Sequence, residues 1–141
     1  FCNKHGIRIK EHNTDYLSDR ALQLHPEIGI HAANIAPEFA VAETRAFLSL
    51  LKKYQLEKEL EKFIEISYSS KKWEKWMLSD SKLGKQEKAI ISGHYIFGKN
   101  EFIDLKNDVE RKVSLKGTLD SYLKLEVKKS IIRYLNLFSM I

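Results

Sequence analysis

The sequence predicts an α/β protein in which a short parallel sheet is followed by a longer helical region. Residues 7–54 read as strand, helix, strand and helix, the order that produces parallel strands joined by a helical crossover. From about residue 55 onward, apolar residues recur every three or four positions, as in amphipathic helices. Of the 141 residues, 43% are hydrophobic and 30% are charged, a balance typical of globular proteins.

The two predicted strands occupy residues 7–12 and 29–35. The first is β-branched and follows Gly6, and the second is a mostly apolar run opened by glycine. Two strands alone leave unpaired edges, so either helices cover them or further strands precede them. Because the sequence starts at Phe1 and its opening residues resemble the end of a helix, we expect it to begin within a longer chain.

The helices of the first third have recognisable ends. Ser18 is placed to cap a helix that begins at Asp19, and the residue before Pro26 is disfavoured in helical conformation, which predicts an end at His25. The next helix is predicted from Pro37 to about Tyr54, since proline suits the first helical position. Further helical segments are predicted at residues 56–64, 73–77, 89–97 and 102–109 and from about residue 118 onward.

Charge and cysteine content exclude some classes of protein. The net charge of +5 arises beyond residue 50 and is interleaved with acids, which is typical of solvated helix faces. The single cysteine excludes an internal disulfide framework. The longest apolar stretch, residues 131–141, is interrupted by Arg133 and Asn136 and falls short of the about 18 residues of a membrane span. These features predict a cytoplasmic protein.

The strongest candidates for chemistry follow the two predicted strands, where functional side chains of parallel sheets lie. His12 ends the first predicted strand and Asp15 follows it, so the imidazole is a candidate metal ligand or acid/base group beside a carboxylate. Asn34 lies at the end of the second predicted strand, and Glu38 follows it. The alternative is structural: residues 13–15 build a turn, and Asn34 caps the following helix. His31, inside a strand, is more typical of a satisfied core histidine than of a ligand.

Three segments resemble the C-terminal part of the tagatose-bisphosphate aldolase non-catalytic subunit family: residues 10–17, 29–39 and 43–45. The most distinctive string is His-Asn-Thr-Asp-Tyr at residues 12–16. Proteins of this family are also called tagatose-6-phosphate kinases, although the sequence has no Gly-rich nucleotide loop. The resemblance implies the C-terminal part of a (β/α)8 TIM barrel, with residues 1–54 as its last two βα units and residues 55–141 as a helical extension.

Comparison with the catalytic class II aldolases implies roles for the matching residues. By position, His12 matches a zinc-ligand histidine and Asn34 matches an asparagine at the end of the last strand. Residues 13–15 replace a Gly-Ser-Gly phosphate loop, and Ala36 replaces an aspartate. The resemblance therefore implies zinc or another divalent metal at His12. It implies sugar binding by Asn13, Asp15, Asn34 and Glu38.

A carboxylate at Asp15 would repel a phosphate dianion, so the loop favours a protein that supports a catalyst without cleaving the sugar itself. We expect a non-catalytic subunit of a class II tagatose-1,6-bisphosphate aldolase, in carbohydrate metabolism. Its expected partners are the catalytic aldolase subunit, a sugar phosphate and further copies in an oligomer, but neither nucleic acid nor membrane. Two alternatives stay open: a metal-dependent sugar-phosphate aldolase or epimerase using His12, and a basic helical nucleic-acid-binding module over residues 55–141.

Overall fold

The computed structural model of the protein describes residues 1–138. Of these residues, 64% lie in helices, and together they form one small parallel sheet. In chain order the strands and α-helices are β1 Ile9–Glu11, α1 Asp19–Glu27, β2 Ile30–Ala33, α2 Pro37–Lys53, α3 Glu57–Ser69, α4 Lys85–Ser92, α5 Asn100–Lys112 and α6 Leu119–Leu137. Short 3-10 helices occupy Asn3–His5, Glu74–Trp76 and Gly93–Ile96. No described helix combines the length and apolar character needed to cross a membrane; residues 139–141 of the apolar stretch lie outside the described part.

The prediction of a TIM-barrel portion is wrong. Over the described residues the chain forms two strands, three and four residues long, whereas most of its length lies in helices. The physical reason is that the apolar side chains bury themselves in helix–helix contacts rather than on the faces of a sheet. A strand–helix–strand–helix pattern is a local feature, and it does not specify how many strands share a sheet.

The local order and direction of the two strands agree with the sequence. β1 and β2 are parallel neighbours, with Ile9 opposite Ile30 and Glu11 opposite Ala33, and α1 forms the crossover between them. The register contains an irregularity after Ile9. Parallel pairing places the carboxyl ends of both strands at one edge of the sheet, together with the loops that follow.

Helix α1 begins where predicted but ends two residues later. The Ser18 hydroxyl accepts a hydrogen bond from the Ala21 N–H at 3.2 Å and caps the helix. The helix continues through Pro26 to Glu27, so the predicted end at His25 is wrong. Pro26 lies in the last turn of the helix. Its missing N–H costs one hydrogen bond there, and only one further residue of the helix follows it.

The chain divides into two compact units. Unit 1 comprises residues 1–40 and, within the described part, residues 127–138. It contains the sheet, α1, the first residues of α2 and the end of α6, and its buried side chains include Leu22 and Tyr134. Unit 1 contains all the candidate residues that follow the strands.

Unit 2, residues 41–126, contains the larger apolar core. Three phenylalanine rings meet at its centre: Phe47 lies 5.2 Å from Phe63 and 5.3 Å from Phe102, measured between ring centroids. The Phe47–Phe102 contact is edge-to-face, and aromatic contacts of this kind stabilise a core beyond the burial of apolar area alone. Gly93 packs against Thr44 and Phe63 so closely that a Cβ at this position would meet both side chains.

Candidate functional site

The candidate residues after β1 and β2 meet at the carboxyl ends of the two strands. The Asn34 N–H donates to the Glu11 carbonyl at 3.1 Å, and the Thr14 N–H donates to the Asn34 carbonyl at the same distance. These two bonds continue the strand pairing into the loops. The backbone therefore fixes residues 12–16 beside residues 34–38.

His12 and Asn34 form an exposed polar pair. The Asn34 side-chain amide donates to Nδ1 of His12 at 3.2 Å. Because Nδ1 accepts this bond, the ring proton of a neutral His12 lies on Nε2. The pair presents an N–H donor and the Asn34 amide oxygen to solvent, which suits a polar ligand such as a sugar hydroxyl.

Asp15 holds the start of helix α2. Its Oδ1 accepts hydrogen bonds from the Ala36 N–H at 3.1 Å and the Glu38 N–H at 2.8 Å. These backbone groups have no partner within their own helix, and a negative charge is favourable at this end of the helix dipole. The structural reading of Asp15, as a residue that builds the turn, accounts for these contacts.

Glu38 is tied to three parts of unit 1. Its carboxylate accepts from the Tyr16 N–H at 2.5 Å and from the Tyr134 hydroxyl, and it pairs with Nη1 of Arg133 at 3.4 Å. Its side chain is only 16% exposed. Both carboxylate oxygens are engaged by groups of the protein, so Glu38 acts as a junction between the loop after β1, α2 and α6.

The loop between β1 and α1 contains two residues with left-handed backbone. Asn13 has φ 61° and Tyr16 has φ 62°. Asparagine tolerates this conformation, whereas for tyrosine it is strained, and the hydrogen bond from the Tyr16 N–H to Glu38 holds it in place. Between them, Thr14 is fully buried and its hydroxyl makes no hydrogen bond to any described residue. The Asn13 side chain remains exposed.

The described residues do not form a complete metal site around His12. Within residues 1–138, no three histidine, cysteine, aspartate or glutamate side chains are grouped to hold a metal. Catalytic zinc sites use three protein ligands, each with a free lone pair. The Nδ1 lone pair of His12 accepts the Asn34 amide, and Nε2 carries the proton of the neutral ring. To ligate a metal through Nε2, His12 would have to carry its proton on Nδ1, and the Asn34 amide would have to turn so that its oxygen accepts from Nδ1.

Arg133 and Tyr134 of α6 complete the cluster, and neither belongs to the predicted site. Two guanidinium nitrogens of Arg133 bind Asp19, and Nη2 also donates to the Leu17 carbonyl at 2.8 Å. Burial and the hydrogen bond to Glu38 raise the pKa of the Tyr134 hydroxyl well above its ordinary value. The sequence offers one indication of this role: Arg133 interrupts an apolar stretch, and a charged side chain in such a stretch needs an acidic or polar partner.

His25 is a second buried polar residue that the sequence did not single out. Its Nδ1 lies 2.8 Å from the Ala21 carbonyl, and its Nε2 is hydrogen-bonded to the Glu11 carboxylate. The side chain is 6% exposed. Both ring nitrogens therefore lie within hydrogen-bond distance of an oxygen atom, one on the backbone and one on a side chain. The pair links the last residue of β1 to α1.

A cavity of about 660 Å³ lies in unit 1 beside β2. All four residues of β2 line it, together with Phe39 of α2 and Tyr134 and Phe138 near the end of the described chain. Its walls are mostly apolar side chains, so the cavity does not suit a sugar phosphate. The polar candidates His12, Asn13, Asp15, Asn34 and Glu38 do not line it.

Searches of protein-family models, of curated proteins and of solved structures return no match for this chain.

Proposed function

We propose that the chain is a non-catalytic, supporting component of a class II sugar-bisphosphate aldolase, acting on tagatose 1,6-bisphosphate or a close relative. The observation that carries the proposal is how the carboxylates of the candidate site are used. Asp15 accepts two backbone N–H groups at the start of α2, and Glu38 accepts groups from the loop and from α6. A general acid or base must reach its substrate, whereas these carboxylates stabilise the fold of unit 1.

The hydrogen bonding of the exposed His12 imidazole also favours a non-catalytic role. Asn34 donates to Nδ1 of His12, which leaves an N–H donor facing solvent. A histidine that ligates a catalytic metal instead donates its second N–H to a carboxylate or carbonyl and directs a lone pair at the metal. The His12–Asn34 pair therefore favours recognition of a polar group over metal chemistry.

The resemblance of residues 10–17 and 29–39 to the non-catalytic subunit family supplies the reaction class. In space, the residues that follow β1 and β2 in these two segments form one hydrogen-bonded cluster. A scaffold made of such a cluster has a surface whose shape is fixed before a partner binds. We therefore assign the cluster to subunit support and the chemistry to a separate catalytic chain.

The test combines the purified protein with a class II tagatose-bisphosphate aldolase catalytic subunit. We expect no cleavage of tagatose 1,6-bisphosphate by the protein alone, and a higher rate or a slower thermal inactivation of the catalytic subunit in its presence. The His12→Ala variant should retain this stimulation, as should the control His5→Ala, which changes another exposed histidine. Zinc-dependent cleavage by the protein alone that disappears in His12→Ala would contradict the proposal.

A further inference from the structure

The connection between α3 and α4 forms an exposed basic loop, defined here as residues 70–84. Three of its large apolar side chains are turned to solvent: Trp76 is 44% exposed, Leu78 78% and Leu83 37%. Together with the first turn of α4, the loop forms a segment, residues 71–88, that carries six lysines and only three acids. The lysines are Lys71, Lys72, Lys75, Lys82, Lys85 and Lys88. Exposed apolar side chains that share a loop with unbalanced charge are typical of an interaction surface.

Aromatic rings position two of the lysines without neutralising them. The Lys88 ammonium lies 4.4 Å from the centre of the Trp73 ring, and the Lys75 ammonium lies 4.3 Å from that of Tyr95. A cation–π contact orients an ammonium group but leaves its positive charge in place. Lys85 also lies over a ring, that of Tyr68, but it is paired with the Glu65 carboxylate.

His94 responds to the same positive field. Burial lowers the pKa of its imidazole, and the charge of Lys75 lowers it further. Within residues 1–138, neither Lys75 nor Lys88 forms an ion pair.

The loop holds a defined shape that favours a protein over a nucleic acid. The indole N–H of Trp73 donates to the Tyr68 carbonyl at 2.8 Å, Tyr68 stacks on the Trp73 ring, and Lys88 lies over it. With these contacts, the Trp73 ring is already occupied and does not offer a platform for a base. The exposed large apolar side chains of the loop are Trp76, Leu78 and Leu83, and a sugar-phosphate backbone would not bury the two aliphatic ones.

We propose that residues 71–88 form a docking surface for an acidic segment of a partner polypeptide. Its carboxylates would face the unpaired lysines, and its apolar side chains would cover Trp76, Leu78 and Leu83. Charge complementarity selects an acidic partner, and protein interfaces combine buried apolar side chains with charged ones. The identity of this partner as the catalytic subunit rests on the proposed function.

The test measures binding of a synthetic helical peptide that carries a leucine stripe flanked by glutamates. Intrinsic tryptophan fluorescence reports the contact, because Trp76 is exposed in the free protein. We expect saturable binding that weakens with salt. Leu78→Ser and Lys72→Glu should each weaken it about tenfold. Leu125→Ser and Lys124→Glu, matched exposed positions on α6 of the same unit, should leave the affinity unchanged.

Other outcomes separate this inference from the proposed function. Equal binding by the loop variants and the α6 controls would overturn the docking surface. So would tighter, loop-dependent binding to phosphatidylserine vesicles or to a single-stranded oligonucleotide than to the peptide. If the loop variants bind the peptide weakly while the wild-type protein fails to stimulate the catalytic subunit, the docking surface stands and the aldolase assignment fails. If Leu78→Ser and Lys72→Glu still stimulate the catalytic subunit, the aldolase assignment stands and residues 71–88 are not the surface on which that subunit docks.

Discussion

Arg133 holds Asp19 with two guanidinium nitrogens, although 114 residues separate them in the chain. Nε lies 2.9 Å and Nη2 lies 2.6 Å from the same carboxylate oxygen. Nη2 also donates to the Leu17 carbonyl, just before the cap of α1. Arg133 thus joins the end of α6 to the loop that carries the candidate residues. This contact makes the cluster part of the tertiary structure and not a feature of the loop alone.

We expect Arg133→Gln to lower the free energy of unfolding by about 1 to 2 kcal/mol, because it leaves the Leu17 carbonyl and the half-buried Glu38 without this partner. Solvent screening of the exposed Asp19 keeps the loss modest. Urea unfolding measures the change. The control Arg111→Gln removes an exposed pair with Asp108 and should cost less than about 0.5 kcal/mol. A larger loss at Arg111 than at Arg133 would refute the junction role.

Asp15→Ala should lower the free energy of unfolding by about 1 to 2 kcal/mol, since two N–H groups at the start of α2 lose their acceptor. Asp15→Asn keeps an oxygen acceptor and loses only the charge at the helix end, so its cost should be smaller. Chemical denaturation monitored by circular dichroism measures both. Asp80→Ala, at an exposed loop position, is the neutral control. Equal effects of the Ala and Asn variants would argue against the hydrogen-bond explanation.

His94 makes the stability of unit 2 depend on pH. Burial and Lys75 lower its pKa in the folded state below the ordinary 6.5. In the window just below pH 6.5, the unfolded chain therefore binds a proton at His94 that the folded chain does not. The free energy of unfolding falls as the pH falls through this window.

The His94→Gln variant removes this proton uptake, so its unfolding free energy should decline less than that of the wild type as the pH falls below 6.5. Urea unfolding at a series of pH values measures the difference. His5→Gln, which removes an exposed histidine, should retain the wild-type decline. A decline that is unchanged in His94→Gln would show that other groups account for it.

Gly93→Ala tests the close approach between the 3-10 helix after α4 and its neighbours. The added Cβ would lie 2.8 Å from the Phe63 ring and would also meet Thr44. Overpacking of this kind costs about 1 to 3 kcal/mol of unfolding free energy. Thermal unfolding of Gly98→Ala provides the matched control, because a Cβ there meets no atom within 4 Å. Similar melting temperatures for the two variants would rule out a steric role for Gly93.

Much of the local structure could be predicted because its causes are local. Ser18 caps α1, Pro37 opens α2, and the two short strands pair in parallel through α1, all as the sequence indicates. The juxtaposition of His12 with Asn34 also follows from parallel pairing. The barrel did not follow, because strand number depends on contacts far apart in sequence, and a pattern over residues 7–54 holds no information on them.

The roles of the candidate residues were less accessible. Asp15 and Glu38 are polar residues that follow the two strands, a position that fits ligand binding and structural support equally well in the sequence. Their partners decided between these readings: backbone N–H groups for Asp15, and Arg133 and Tyr134 for Glu38. Tyr134 lies in the predicted C-terminal helix, where apolar residues recur every three or four positions, and this spacing could not show which group its hydroxyl contacts.

The sequence by itself determined where α1 and α2 begin and the order and direction of the two strands, since capping, proline geometry and apolar spacing act within a few residues. Only the tertiary structure decided that helices bury most of the core, that α6 supplies the partners of Glu38, and that Trp76 and Leu78 are left in solvent. The reason is physical: burial and hydrogen bonding depend on which segments meet in space. Which segments pack together depends on the sum of many weak contacts along the whole chain.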